Sequence, residues 1–443
     1  MSWDKGEAIM SRWFHLLVGV VSLVFVLSAC SGSVSPGAGS EEDVEIPEGA
    51  TEVVMWNLFG GGDAEYMQAI VDKFNESQSE FFVNNVMQEF DEYYTKLLTS
   101  VAAGKGPDLA IAHSHVLPEL VNQGLLMELD DYASKSGMDF ADFNQNVLDV
   151  TVYDGKHYAV PIDTHPQIMY INNDLVRDAG LLSDDGSVEM EESPEGFVKF
   201  LTTLKEELPE DKMAFAFSSA GEDPYRIWWA LYTQMGGEHL LSEDLENPDY
   251  VLDEEKAIKA ANYIKDLYHK HEVVPLNLAD FYSDFQSGQA AVMSTGVWAT
   301  GIWERTEGLD FTAMPFPNMY EREGAWANSH TFILPYYADA DEEKQRAAVE
   351  FMNFATENGL MWAEAGHIPA KDTVVKSEEF NEMPYRSEYA EVANYVNFAD
   401  RTIYARGVQE IVIRNLDLVW SNKVTAEEAF ATIEQEVTEL IGN

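Results

Sequence analysis

The residues of this chain that could do chemistry are histidines, tryptophans and carboxylates, and their spacing narrows what that chemistry is. Asp163-Thr164-His165 is a polar run bracketed by Pro161 and Pro166, which restrict the backbone and disfavour helix on either side. It stands between two apolar strands, TVYDGKHYAVP leading in and Gln167 to Ile171 leading out. It therefore reads either as a segment crossing between packed units with its polar groups facing a gap, or as an ordinary strand corner. His113 and His115 end another strand, and a strand-borne His-x-His needs a third ligand nearby before it can hold a metal. His269 and His271 fall on a helix, where residues two apart do not converge. Neither pair is read as a metal centre, and no cofactor is expected.

The glycine-rich turn Asn57-Leu58-Phe59-Gly60-Gly61-Gly62 follows a strand and precedes a helix opened by Asp63 as its N-cap. A phosphate could sit at such a terminus. Yet no Gly-Lys-Ser/Thr follows, and Asp63 would bring its own negative charge there. Glycines also let a ligand approach the backbone, and Trp56, Asn57, Phe59 and Asp63 lie at the carboxyl end of the strand, where open α/β sheets bind ligands. Enzyme signatures are missing from the sequence: no serine elbow, zinc helix motif or phosphate loop. A glycoside hydrolase would need two carboxylates about 5–10 Å apart. With 78 acidic residues, carboxylate pairs are too common to be informative.

These residues need elements to hold them. Thr51 to Trp56, Glu80 to Glu89 and Asp108 to Ala112 read as strands, with helices after Asp63, at Glu92 to Ala103 and at Val116 to Gln123. Such short strand–helix repeats imply a parallel α/β layer. Farther on, Ser193-Pro194 starts a helix, and a further helix carries Trp228 and Trp229. At most one of that pair is expected to face a ligand. Ala290 to Ser294 is a strand ending in a corner that presents Trp298, and Trp326 to His330 marks a return crossing. Gly366-His367-Ile368-Pro369-Ala370 looks like a third. Beyond it, helices are expected at Tyr385 to Ala399, Ile403 to Trp420 and Ala426 to Ile441. Roughly 390 residues after the leader exceed what one core supports, so two lobes are expected.

The chain begins with Lys5 and Arg12 ahead of an apolar run, Trp13 to Leu27, that ends in Leu-Ser-Ala-Cys30. This predicts a signal peptide over 1–29, cleaved before the single cysteine, and acylation of the Cys30 thiol, since Leu-Ser-Ala-Cys is similar to a bacterial lipobox. Residues 30–50, rich in Ser, Gly, Pro and acids, read as a disordered tether. The net charge of -51, from 78 acidic and 27 basic residues, repels nucleic acid and anionic lipid. It suits a neutral or cationic ligand and also describes a solvated coat fit for a saline or alkaline habitat.

Taken in order, these pieces resemble the extracellular solute-binding proteins of family 1, the maltose-binding-protein-like class of carbohydrate ABC importers. The matching residues are the lipobox at Cys30, Trp56-Asn57 with Gly60-Gly61-Gly62-Asp63, Gly106-Pro107-Asp108-Leu109, Tyr158-Ala159-Val160-Pro161 with Tyr170-Ile171-Asn172, Phe285 to Ala291, Gly296-Val297-Trp298 and Gly366 to Pro369. The resemblance implies an α/β, two-lobed fold of type II with three hinge crossings: lobe I from 51–162 and 327–366, lobe II from 163–326 and 367–443. It implies a lipid-anchored monomer on the outer face of the membrane that hands a carbohydrate to ABC permease subunits. In that setting Trp56, Trp228, Trp298 and Trp326 would stack on sugar faces, and Asn57, Asp63, His113, Asp163, His165 and His330 would meet hydroxyls. A cationic solute such as a polyamine or metal is the second reading, and an anchored glycoside hydrolase the third.

Overall fold

The structure is a computed structural model that describes residues 46–442. The predicted signal peptide, Cys30 and most of the tether lie outside the described residues. In chain order the strands are Thr51–Asn57 (β1), Phe81–Met87 (β2), Leu109–His113 (β3), Val152–Tyr153 (β4), Lys156–His157 (β5), Ala159–Pro161 (β6) and Asp163–Asn172 (β7). They continue with Met213–Ala216 (β8), Ala290–Gly296 (β9), Phe311–Pro315 (β10), Ala325–Asn328 (β11), His330–Ile333 (β12), Ile368–Pro369 (β13) and Val396–Asn397 (β14).

The first sheet runs β2-β1-β3-β12-β6, with β2, β1 and β3 parallel and β12 antiparallel to both of its neighbours, β3 and β6. Helices Gly61–Ser77 and Phe90–Ala102 join the parallel strands, as the strand–helix alternation predicts. Met67, Ile70, Val71 and Phe74 of the first helix pack into one core with Val53, Met55 and Ile111, joined by Phe351 and Met352 of the helix Glu342–Glu357. The helix after β1 is capped by the backbone of Gly60 without a side-chain bond, so Asp63 sits in its first turn rather than capping it. The β4–β5 hairpin closes through Asp154 and Gly155, both at positive φ (50° and 75°), the two-residue turn that its Asp-Gly predicts.

The second sheet runs β14-β11-β7-β9-β8, with β10 and β13 also on β7. Helices Pro194–Glu207, Glu222–Gln234, Glu254–His269, Ala405–Trp420 and Ala426–Ile441 fill one core, which Met169 and Val292 of the sheet join. A separate core holds Tyr170, Met293, Phe285, Trp303 and Tyr389. The chain leaves the first sheet at Ile162. It regains that sheet only after Ser329, because Ala327 and Asn328 still pair with Pro166 and His165 of β7. The third passage is β13, paired to Asp163 and Thr164. Gly366 there holds φ 119°, and a Cβ on it would come within 2.0 Å of the Val297 carbonyl oxygen, so only glycine lets the passage lie this close.

Two more expectations change. Asp163-Thr164-His165 is no gap between strands but the first three residues of a ten-residue strand, buried throughout. Pro166 stands in it opposite Ala327 of β11, near the end of that short two-residue pairing. And Tyr385 to Ala399 is not one helix: a turn of helix, Arg386–Tyr389, gives way to a 3₁₀ segment and then to β14.

Candidate functional site

The site is built around one carboxylate. Asp163 and His165, two residues apart on β7, project to the same face of the strand, and His330 opens β12 beside them. Asp163 is wholly buried. Its Oδ1 accepts from His165 Nδ1 at 2.9 Å and from the His330 backbone N–H at 3.0 Å. Its Oδ2 accepts from His330 Nδ1 at 2.7 Å and from the Trp362 indole N–H at 2.6 Å. Burial alone would push the carboxyl up, but His330, His165 and His367 outweigh it and hold it well below the usual range. An ionised carboxylate only accepts, so His165 and His330 carry their protons on Nδ1 when they bond it. His165 itself is driven down to about 3, by burial first and then by His330, so it is a neutral imidazole at neutral pH.

Rings gather around His165. His330 lies 4.1 Å away between centroids, His113 5.5 Å, Trp298 6.1 Å and Trp326 6.4 Å. The pairing of His330 with His113 across β12 and β3 brings those two rings to 4.7 Å. Tyr94 fixes His113: its hydroxyl accepts from the His113 backbone N–H at 3.0 Å and stands 2.5 Å from Nδ1. Burial and then the neighbouring histidines keep His113 well below its ordinary value. His115 is pushed down to about 4 by burial, and its Nδ1 accepts from the Asn328 amide at 2.7 Å. Neutral imidazoles offer a donor and an acceptor each, the same pair that a hydroxyl offers.

Facing them is an aromatic wall. Trp298 stands in the 3₁₀ turn Val297–Ala299 that follows β9; its ring lies against Gly296, and its indole N–H donates to the Tyr282 hydroxyl at 3.1 Å. Trp326 comes from β11. The Arg226 guanidinium lies over both rings, 5.0 Å from the centroid of Trp298 and 4.5 Å from that of Trp326. Asp223, at 3.1 Å, and Glu222 pair with it. On the surface, Arg305 of the second sheet's side pairs with Glu65 of the first at 2.6 Å. An open hollow elsewhere on the surface, lined by Tyr132, Arg346 and Glu350, shares no residue with this constellation.

Of the ten residues expected at the site, His113, Asp163, His165, Trp298, Trp326 and His330 come together. Asp63 joins from the side, 3.2 Å from Nε2 of His367. Three do not. Trp228 is fully buried between Tyr232 and Phe430, its indole N–H donating to the Ala257 carbonyl at 3.0 Å, so it is a core residue. Asn57 is buried and spends its amide locally, Oδ1 accepting from the Phe59 N–H and Nδ2 donating to Asn85, which fixes the turn. Trp56 lies under Lys96 at 4.9 Å, and no ring contact or hydrogen bond of its side chain among the described residues leads to the histidines. Sequence reasoning passed over Arg226, Asn328, His115 and His367 as site residues. Of these His367 had a visible signal, since it stands in the expected third crossing.

A family model described as bacterial extracellular solute-binding protein matches residues 69–387. Among relatives, the maltodextrin-binding protein of Bacillus subtilis is 23% identical, over 98% of each chain. An arabinooligosaccharide-binding protein of Halalkalibacterium halodurans is 25% identical over 57% of this chain and 55% of its own length. Among solved structures, the GacH receptor of Streptomyces glaucescens, studied with acarbose, is similar with TM-score 0.75 at 18% identity, covering 89% of this chain and 99% of that one. The Thermus thermophilus maltotriose binding protein has TM-score 0.68 at 20% identity, covering 87% and 100%. These likenesses establish the fold: two α/β lobes of the maltose-binding-protein type.

Proposed function

This chain belongs to the bacterial extracellular solute-binding proteins, binders rather than enzymes, and from that premise we propose that it captures a neutral oligosaccharide and delivers it to an ABC importer. The observation that carries the reading is the meeting of two indoles, Trp298 and Trp326, with three imidazoles, His113, His165 and His330, at the strands that join the sheets. Sugar rings present apolar faces to the former and hydroxyls to the latter. The names of the relatives, which concern maltodextrin and arabinooligosaccharide, support the same class. Arg226 fills the space over the two indoles when the lobes are shut, and a ligand takes its place or accepts from it.

The lobes in this reading are 51–162 with 329–366, and 163–328 with the chain from 367 onward, the expected boundary at 327 moving to 329 because Ala327 and Asn328 pair with β7. They open about Ile162, Ser329 and Gly366, and the ligand shuts them. The lipobox at Cys30 supports a lipid anchor on the outer face of the membrane, and a monomer docked on permease subunits completes the proposal. The test is thermal denaturation of the fragment from Thr51 with maltodextrins, arabino-oligosaccharides and polyamines, each at low and high salt. A neutral sugar at a hundredfold excess over Kd should stabilise by about 2.7 kcal/mol with little salt dependence. A shift with polyamines alone, erased by salt, would transfer the assignment to a cationic solute.

A further inference from the structure

We propose that the junction of the lobes holds a divalent transition metal ion of the zinc class, resident in the fold and distinct from the transported solute. Asp163, His165, His330 and His367 are all buried and can each place one ligand atom within 4.8 Å of the others. Their spacing already approaches a coordination shell. The Nδ1 atoms of His330, His165 and His367 stand 2.7, 2.9 and 3.4 Å from the Asp163 carboxylate oxygens. Ligands on a tetrahedral zinc with bonds near 2.0–2.1 Å are about 3.3 Å apart. Three imidazoles and one carboxylate suit zinc, cobalt or nickel and do not suit calcium or magnesium, which take oxygens.

The independent observation is His367. It is wholly buried, and its ring nitrogens stand 3.2 Å from Asp63 and 3.4 Å from Asp163 without the geometry of a hydrogen bond to either. Hydrogen bonding to Asp163 accounts for His165 and His330 without any ion, whereas His367 is held between two carboxylates by charge alone. A bound ion would satisfy both of its nitrogens. Nδ1 becomes a ligand, and Nε2–H points to the Asp63 carboxylate 3.2 Å away, the outer-shell partner that orients metal-bound histidines. Asp63 and Asp163 together balance the two charges of the ion. The same arrangement leaves Nε2–H of His165 and His330 free of the ion, so metal and sugar do not compete for one atom.

The ligands come from all three passages: β7 gives Asp163 and His165, β12 gives His330, and the residue before β13 is His367. A resident ion would pin the segments about which the lobes turn. A transported ion, by contrast, would have to leave while those strands stay paired.

The experiment uses untagged protein stripped with a chelator and titrated with Co²⁺ while visible absorption is recorded, followed by Zn²⁺ displacement and elemental analysis after dialysis. One Co²⁺ per chain with the intense visible bands of four-coordinate cobalt, bleached by Zn²⁺, is the expected result. His367→Gln and His165→Gln, checked by circular dichroism, should each lose the bands and the rise in melting temperature that zinc gives the parent. No visible band in the parent would overturn the proposal. So would bands and stoichiometry unchanged in both variants, since binding would then belong to surface carboxylates. If the variants do not fold, the parent titration decides. None of these readouts involves a sugar, so the result stands apart from the identity of the solute.

Discussion

At the floor of the site Asp163 buries a charge and surrounds it with four donors from three residues, His165, His330 and Trp362. At the opposite wall Arg226 also carries a charge, but it lies on aromatic faces with part of its side chain exposed and pairs with acids of its own helix turn. The first group is fixed by strands that cannot move without breaking a sheet. The second is held by rings and by two carboxylates, one of which, Glu222, is itself exposed. Removing a partner on the floor therefore strands a buried charge, whereas removing one at the wall mainly changes what a ligand meets. The floor should govern stability and the wall affinity.

The largest expected effect tests the floor. Asp163→Asn replaces an acceptor of four donors by a group that must itself donate, and should cost about 3 kcal/mol of stability in urea unfolding of the ligand-free protein. A loss below about 1 kcal/mol would put floor and wall on the same footing. Next comes Trp298→Ala, which should weaken sugar binding by about 2 kcal/mol, roughly thirtyfold in Kd by calorimetry, with a smaller change in the unliganded melt. An apo loss as large as the affinity loss would make Trp298 part of the core. Gly296→Ala reaches the same ring indirectly: the new Cβ would fall 1.8 Å from Cζ3 of Trp298, so the indole must tip, and affinity should fall about tenfold. The smallest effect belongs to Arg226→Lys. It keeps the charge but loses the planar group over two rings, and should change Kd by about threefold to fivefold.

The same contrast explains what the sequence makes legible. The strand–helix alternation from Thr51 to Asn122 follows from periodicity and short turns, and it is present in the structure nearly residue for residue. β7 escapes that logic because polar Asp163, Thr164 and His165 look like a break, while their burial depends on strands β11, β12 and β13 that arrive far later in the chain. Trp228 fails for another reason. Two adjacent tryptophans should face different ways, and they do. But the helix Glu222–Gln234 is buried on nearly every side, so both directions lead into packing. Arg226 is, with Glu222 and Asp223, one of the three residues of that helix that are not buried, and nothing in the linear pattern marks it as the residue that reaches the indoles. His367 lay in a recognised crossing, yet its partners Asp63 and Asp163 are brought to it only by the fold.

β7 also sets the order in which the molecule can be completed. Its Gln167–Ile171 half waits for Val292–Gly296 and Phe311–Pro315, its middle for Ala327 and Asn328, and its first residues for Ile368 and Pro369. All of these contacts are remote in sequence, and closing such long loops is slow. While the polypeptide emerges from its N-terminus, β1, β2 and β3 can pair early, but the strand that joins the halves stays without neighbours until most of the chain is available. Refolding should accordingly start with the pairing of β1, β2 and β3, while β12 and the strands around β7 join later, and the interval before they do is when this protein most needs a chaperone.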